Sequence, residues 1–338
     1  MRKHARYVKE DLCTACGRCA EKCPVDVPDE FEMGLANRKA IYSYFDQGVP
    51  AAFTIDREHC IYLEKQKCGV CLRFCDIGAI DFEQQDETVT LEVGAIIVAV
   101  GYDCFDPTPM GEYGFGRHPD VITSLQLERL TSSAGPTGGH VCRPSDGGHA
   151  RRIGFIQCVG SRDRRNSPYC SAVCCMYATK AAILAAEHDP EVRSTIYYMD
   201  LRAGGKGFQE YLRRAREMYD VAYIRGRVAE VVAGKEHRLS IRYEDTDTGW
   251  LGEGTADLVV LCTALVPSAG IGDLARRLGV DLDAYGFVAS DPLSPVQASV
   301  PGIYACGYCR EPLDIPDSVT GGSAAAAKAF KALTGARE

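Results

Sequence analysis

The sequence predicts a mixed α/β chain built from two unlike parts, and three observations carry that expectation. The first is a cysteine-dense stretch. Cys13, Cys16, Cys19 and Cys23 stand at C-x2-C-x2-C-x3-C with Pro24 following, and Cys60, Cys68, Cys71 and Cys75 repeat the pattern with a longer first gap. The second is a pair of apolar segments, TVTLEVGAIIVAVGY (88–102) and DLVVLCTA (257–264), each leading into a proline-containing loop; such runs are what strands buried on both faces look like. The third is the order strand, helix, strand, helix, then several strands, from Arg151 to about residue 254, which is how a Rossmann-like βαβ unit begins.

The cysteine runs have the spacing of bacterial two-cluster ferredoxins. A 4Fe-4S cubane needs four soft thiolates converging on a small core, and short gaps of small residues, here Thr14, Ala15, Gly17 and Gly69, let successive thiolates point inward while backbone N–H groups reach the sulfurs. In such ferredoxins the last cysteine of each run crosses to the other cluster. The expected ligand sets are therefore Cys13, Cys16, Cys19 and Cys75 for one cluster, and Cys23, Cys60, Cys68 and Cys71 for the other. Structural zinc is the alternative, but it calls for two C-x2-C pairs per ion rather than triplets closed by a C-x3-C step. The second run departs from the pattern in the seven residues between Cys60 and Cys68 and in Asp76, where the first run has proline.

Composition narrows the class. A length of 338 residues suits two or three domains, and 46% hydrophobic with 25% charged residues is ordinary for a globular chain. The net charge of -8 argues against a nucleic-acid surface. No apolar segment precedes the first cysteines, and Ala95 to Val100 is too short to span a bilayer. Neither a signal peptide nor a membrane span is expected, so the seventeen cysteines are read as metal ligands and packing thiols of a reducing, cytoplasmic protein. The seven histidines are scattered and read as solvent or core residues.

Residues 1–86 are read as the dicluster unit, with Tyr42, Tyr44 and Phe45 as core packing. Residues 87–118 and 255–338 read as one separated α/β domain, ending in GIYACGYCREPLDIPDSV and a small-residue helix, GGSAAAAKAFKAL. The Gly-, Ser- and Pro-rich residues 119–150 read as a surface connection. Residues 151–254 form the Rossmann-like unit, its first helix following Ser171 as N-cap. A dinucleotide site needs G-x-G-x-x-G at the first strand-to-helix turn. This turn holds Gly154 and Gly160 without a closely spaced trio, and instead Cys158, Cys170, Cys174 and Cys175. Two readings stand: a third 4Fe-4S cluster, whose negative charge the helix N-terminus favours, or buried free thiols that pack as small hydrophobes. Cys306 and Cys309 read as a coincidental C-x2-C pair, and Cys104, Cys142 and Cys262 as packing.

Together CTACGRCAEKCP, AIYSYFDQGVPAAFTID, QCVGSRD with YCSAVCCMYATKAA, and GIYACG with DIPDSVTGGSAAAA resemble the heterodisulfide reductase A-subunit family over nearly the whole chain. The resemblance implies a thioredoxin-reductase-like two-dinucleotide-binding fold with a dicluster ferredoxin inserted in its flavin domain. It also implies a further 4Fe-4S cluster on cysteines matching Cys158, Cys170, Cys174 and Cys175. This chain starts at the insertion, without the N-terminal part that carries another cluster and the flavin glycine loop, so the fold is read as incomplete. Gly101, Gly302 and Gly307 mark half of an FAD site, with Tyr308 where related flavoproteins place an aspartate. Either another chain supplies the other half or the flavin is lost.

The resulting expectation is an oxidoreductase subunit, without a catalytic acid, base or nucleophile of its own, that relays electrons through three 4Fe-4S clusters to or from a flavin, open to electron bifurcation. The resemblance implies partners such as heterodisulfide-reductase-like B and C subunits and a small iron-sulfur, hydrogenase or dehydrogenase subunit. The alternatives are a homologous subunit of a quinone-interacting or benzoyl-CoA-reductase-type complex, a docking scaffold in which only the ferredoxin module carries electrons, and a nicotinamide-dependent disulfide reductase.

Overall fold

The computed structural model describes residues 1–45, 47–234 and 238–335. The chain divides into two units, Met1–Glu92 and Val93–Glu338. In the first, secondary structure is brief and loops carry most of the cysteines. Three antiparallel pairs frame it: β1 (Arg2–Lys3) with β6 (Glu87–Thr88), β2 (Asp26–Pro28) with β3 (Asn37–Lys39), and β4 (Ile41–Tyr42) with β5 (Thr54–Ile55). One short helix sits in each cysteine run, α1 (Arg18–Glu21) and α3 (Val70–Arg73), while α2 (Ile61–Lys65) takes up the longer gap after Cys60. Gly17 and Gly69 open α1 and α3 at φ 79° and 116°, conformations that a Cβ would strain.

The apolar core of this unit is thin. Tyr7, Val8, Ile41, Ile55, Ala79 and Ile80 form it together with buried Cys19, and Cys13, Cys23, Cys60, Cys71 and Cys75 pack against it. Arg38 is the other organising residue, a guanidinium buried under the β2–β3 hairpin. Its Nε and Nη2 donate to Glu30 at 2.6 and 2.5 Å, Nη2 also to Asp56 at 2.9 Å, and its head lies 3.8 Å from the Tyr42 ring centroid. Asp56 in turn accepts from the Glu58 N–H at 3.0 Å, and its carbonyl accepts from the Cys60 N–H at 3.0 Å. The ion pair thus fixes the entry to the second run. Tyr44 and Phe45 do not join the core: they are 63% and 42% exposed, clustered with Phe31 on the surface. Aromatic composition alone does not tell a core from a surface cluster.

The second unit is built on a seven-stranded sheet. Its order is β14 (Trp250–Ala256), β13 (Leu239–Asp245), β12 (Ala222–Ala233), β11 (Arg193–Tyr198), β10 (Arg152–Val159), β15 (Leu258–Thr263) and β9 (Val121–Thr123). The five strands from β12 to β9 are parallel, and β12–β13–β14 is an antiparallel meander. Helix α5 (Cys174–His188) lies on β10, β11 and β15 between α4 (Ser124–Thr131) and α6 (Phe208–Tyr219). A core of Ile156, Tyr197, Val259 and Leu261 is shared with Ile241 and Ala256 of the meander. Gly154 makes that closeness possible, because a Cβ there would stand 2.5 Å from the Ile241 side chain. It is a mid-strand packing glycine of β10, not part of the turn.

Two boundaries differ from the sequence reading. Leu258–Thr263 belongs to the seven-stranded sheet and not to the flavin-type remainder, since an apolar run fits any doubly covered strand and does not say which sheet takes it. The connection 119–150 begins with edge strand β9 and a capped helix. Thr123 accepts from the Gln126 N–H at 3.3 Å while the Gln126 side chain accepts from the Thr123 N–H at 2.9 Å. That T-x-x-Q capping box was legible in the sequence.

The rest of this unit comprises a parallel pair, β7 (Ile96–Val98) with β17 (Ile303–Ala305), an antiparallel pair, β8 (Tyr102–Cys104) with β16 (Leu265–Pro267), and helices α7 (Ile271–Leu278) and α8 (Ile315–Gly335). Among the described residues β7 pairs with β17 alone, and Ile97 on it is 42% exposed. Also among the described residues, no helix is long and apolar enough to cross a membrane.

Replacing Arg38 with methionine takes the buried cation from the Asp56 carboxylate, which is 11% exposed and keeps His59 and backbone N–H groups as partners. It should destabilise the first unit by on the order of 3 kcal/mol, read as a lowered urea midpoint of the metal-loaded chain.

Candidate functional site

The eight N-terminal cysteines gather around two pockets, and each pocket draws three from one run and one from the other. Cys13, Cys16, Cys19 and Cys75 line the first with Val8, Phe53, Phe74 and Ile80, around about 330 Å³ of space. Cys23, Cys60, Cys68 and Cys71 line the second with Ile41, Ile55, Tyr62 and Gly69, around about 340 Å³. Burial pushes the Cys19 thiol up to about 11 and the Cys71 thiol up to about 12, neighbouring cysteines adding to it. These are thiols for which the pocket offers little to stabilise an anion, the environment that a cationic iron core relieves. The Ala79 N–H points at Cys75 Sγ, 3.3 Å away, the kind of donor that thiolate ligands of a cluster use. Asp76, at the proline position of the second run, pairs with Arg18 of the first. Among the described residues no three His, Cys, Asp or Glu side chains are grouped to hold a single metal ion.

A third set of thiols meets where β10 gives way to α5. A bulge interrupts the β10–β15 register between Ile156 and Val159, and Cys158, Arg162 and Ala172 all take left-handed φ, at 60°, 56° and 65°. Three such non-glycine residues in one turn are costly and mark a constrained site. The neighbouring Cys174 thiol, against the opposing pull of burial and with help from Arg162, lowers Cys158 to about 7. The same contact, with burial, holds Cys174 well above the ordinary thiol value. Cys175 feels the charges of both Cys158 and Cys170. Backbone N–H groups approach two of the sulfurs: Ala172 to Cys170 at 3.4 Å and Arg202 to Cys175 at 3.4 Å.

Helix α5 starts at Cys174, with Val173 as its uncapped first boundary. Ser171 is therefore not the cap. Its Oγ instead accepts from the Leu265 N–H at 3.0 Å, and its N–H lies 3.3 Å from Ser161 Oγ, a brace that holds the cysteine loop to β16. Gly160, at φ 78°, is pressed against the Phe105 ring, so an aromatic side chain occupies the approach that a pyrophosphate would take in a dinucleotide turn.

The three glycines expected at a flavin do not come together. The parallel register Ile96↔Ile303 to Val98↔Ala305 sets Gly101 and Gly307 beyond the carboxyl edge of the pair, the edge at which open α/β sheets bind ligands. Gly302 precedes β17 at the opposite edge, where its carbonyl accepts from the Ile96 N–H at 3.0 Å. The intervening strand separates them. Tyr308, which sequence reading treated only as a missing aspartate, is buried, and its hydroxyl donates to the Ser171 carbonyl at 3.2 Å. It joins the carboxyl edge of β17 to the loop of the third thiol set. Cys309 donates to the Val98 carbonyl at 3.4 Å, while Cys306 sits in a different core cluster; they are packing thiols. Cys104 and Cys142 are half-buried free thiols. Cys262 is fully buried on β15, close enough to the third set that Cys158 raises its thiol further beyond the effect of burial.

Residues 6–29 match the family described as a 4Fe-4S binding domain, and with the thiol pockets and the parallel sheet this defines an iron-sulfur protein of mixed α/β fold. The chain is 52% identical over 335 residues to the second of the iron-sulfur A-subunits of CoB–CoM heterodisulfide reductase in Methanopyrus kandleri, covering 98% of this chain and 50% of that one. It is 49% identical over 328 residues to the iron-sulfur A-subunit of the CoB–CoM heterodisulfide reductase of Methanocaldococcus jannaschii, covering 96% and 49%. Over 96–98% of its length the chain matches heterodisulfide reductase A-subunits, and it spans about half the length of the curated relatives it matches. Among solved structures, thioredoxin reductase of T. acidophilum is similar at 17% identity and a TM-score of 0.47, covering 86% of this chain and 84% of that one.

Substituting Gly160 with alanine would put a Cβ 2.4 Å from the Phe105 ring in a left-handed backbone. The variant should lose roughly 1–3 kcal/mol, measured by chemical denaturation.

Proposed function

We propose that this chain carries electron-transfer centres of a heterodisulfide-reductase-like complex. Cys13, Cys16, Cys19 and Cys75 would hold one 4Fe-4S cluster, Cys23, Cys60, Cys68 and Cys71 a second, and Cys158, Cys170, Cys174 and Cys175 a third. The observation that carries the reading is the grouping of the first eight thiols into two pockets, each completed by a cysteine from the other run. Its support for the third set is the turn at Cys158 and the N–H groups aimed at Cys170 and Cys175. When bound, the clusters supply one-electron carriage. The chain's own residues decide how readily: Val8, Phe53 and Ile80 around one pocket, and Ile41, Ile55 and Tyr62 around the other, exclude water, and N–H donors partly offset the sulfur charge.

FAD belongs to the same reading, as the exchanger between two-electron and one-electron chemistry and a route to bifurcation. Gly101 and Gly307 at the carboxyl edge of β7–β17 support it. So does the unpaired side of β7, because parallel strands are stable inside larger sheets and a bare edge invites pairing. The complementary flavin-binding half would add there, from another segment or another polypeptide. The partners proposed are the B and C subunits of such a complex and a small iron-sulfur, hydrogenase or dehydrogenase subunit. A quinone-interacting or benzoyl-CoA-reductase-type assembly would use the same centres, and anaerobic copurification separates these cases.

Anaerobic iron, acid-labile sulfide and flavin per chain test the proposal. About twelve iron is expected for three clusters. The double substitution Cys174→Ser, Cys175→Ser should lower that to about eight with the N-terminal clusters retained. About eight iron in the parent chain, unchanged by the substitutions, would instead favour a docking scaffold with a ferredoxin module.

A further inference from the structure

The loop that follows β11 is joined to the third thiol set twice, once through its backbone and once through a charge. Cys175 Sγ lies 3.5 Å from the Asp200 carbonyl and 3.4 Å from the Arg202 N–H. The Asp200 carboxylate reaches back across the set and accepts from Arg162 at 2.6 Å. Arg162 sits in the loop between Cys158 and Cys170 with its backbone in the left-handed region, and its N–H donates to the Tyr169 carbonyl at 2.9 Å, one residue before Cys170. So held, its guanidinium lies within electrostatic reach of the thiols, and both Cys158 and Cys170 act on it. Its side chain is 23% exposed, against 47% for Asp200. Behind Asp200 the ladder continues outward, with Arg225 3.8 Å from Asp200 and 3.0 Å from Asp247.

This arrangement replaces one that a dinucleotide-binding unit would have. There, an acidic residue beyond the first helix holds a ribose hydroxyl. Here the acidic residue after the second strand is engaged by a cation that belongs to the cysteine loop. A cubane with four thiolates is an anion, and each added electron makes it more negative by one charge. A guanidinium cannot release its proton in the accessible pH range, so its charge at the thiols is constant and favours the electron-rich state.

We infer that Arg162, pinned by Asp200, is the counter-charge that positions the Cys158–Cys170 loop and raises the reduction potential of the cluster held by the third thiol set. The inference rests on the three-cluster reading above. When bound, that cluster would supply one-electron carriage, and Asp200, which accepts from Arg162 at 2.6 Å, keeps the guanidinium from swinging to solvent.

The test compares the full chain with Arg162→Gln and Arg162→Lys, reading iron per chain and the midpoint potential of the third cluster by EPR-monitored redox titration. Iron in the parent chain judges the cluster reading separately: if the parent lacks the third cluster, that reading fails, and this inference with it. With the cluster present, Arg162→Gln should keep its iron and titrate at a lower potential, with Arg162→Lys near the parent. Loss of the cluster in the glutamine variant with retention in the lysine variant also supports the counter-charge role. An unchanged potential in Arg162→Gln, or loss of the cluster in both variants, would overturn it.

Discussion

The constraint on which this molecule depends is the placing of buried thiols where an ordinary domain places apolar side chains. In the first unit the true hydrophobic core is a handful of residues around Tyr7, Ile41 and Ile80, and half-buried cysteines complete it. Such a core contributes little by area burial for a unit of this size, and the raised Cys19 and Cys71 thiols gain little from ionising there without a cation nearby. On the proposed cluster reading, folding and cluster loading would be coupled, because ligation would supply energy that the thin core lacks. Short strands, glycine-opened helices and the left-handed turns at Gly17 and Gly69 all follow from the need to aim thiols inward.

Arg38, which is buried, and Arg162, which is half-buried, answer the same problem at different places. Arg38 is locked among Glu30, Asp56 and the Tyr42 ring and organises backbone around the second run without facing sulfur. Arg162 is locked by Asp200 and lies within electrostatic reach of Cys158 and Cys170. A charge taken from water must be paired, and in both cases the pairing carboxylate belongs to a different loop, so satisfying the charge also fixes the relative position of two loops. Specificity of geometry, more than stability, is what such pairs supply.

The second unit uses the parallel-sheet frame of a dinucleotide-binding fold with the usual approach to its first turn closed. Phe105 covers Gly160, the β10 bulge turns Cys158, and Ser161 and Ser171 tie the loop to β16. At the other end of the unit, β7 and β17 show the opposite condition: a parallel edge without a neighbour among the described residues, with Gly101 and Gly307 beyond it. Tyr308 connects the two regions through its hydrogen bond to the Ser171 carbonyl.

Much of this was legible in the sequence because the relevant physics is local. Cysteine spacing is a statement about how few residues separate ligands, and the apolar run Leu258–Thr263 is buried as its composition states; the run 88–102 is not, since Leu91, Val93, Ile97 and Val100 are exposed. The cross-over between the runs was an expectation from spacing; the same eight thiols line two pockets, and their role as cluster ligands is a proposal. What tertiary structure alone decided is of longer range. Which sheet takes Leu258–Thr263, whether Tyr44 and Phe45 are core or surface, and that Gly302 stands at the wrong end of its strand are matters of partner and direction, which composition does not encode. The third thiol set lies between: its residues are adjacent in the chain, but Arg162 becomes significant only because Asp200, 38 positions away, is brought back across the sheet to hold it.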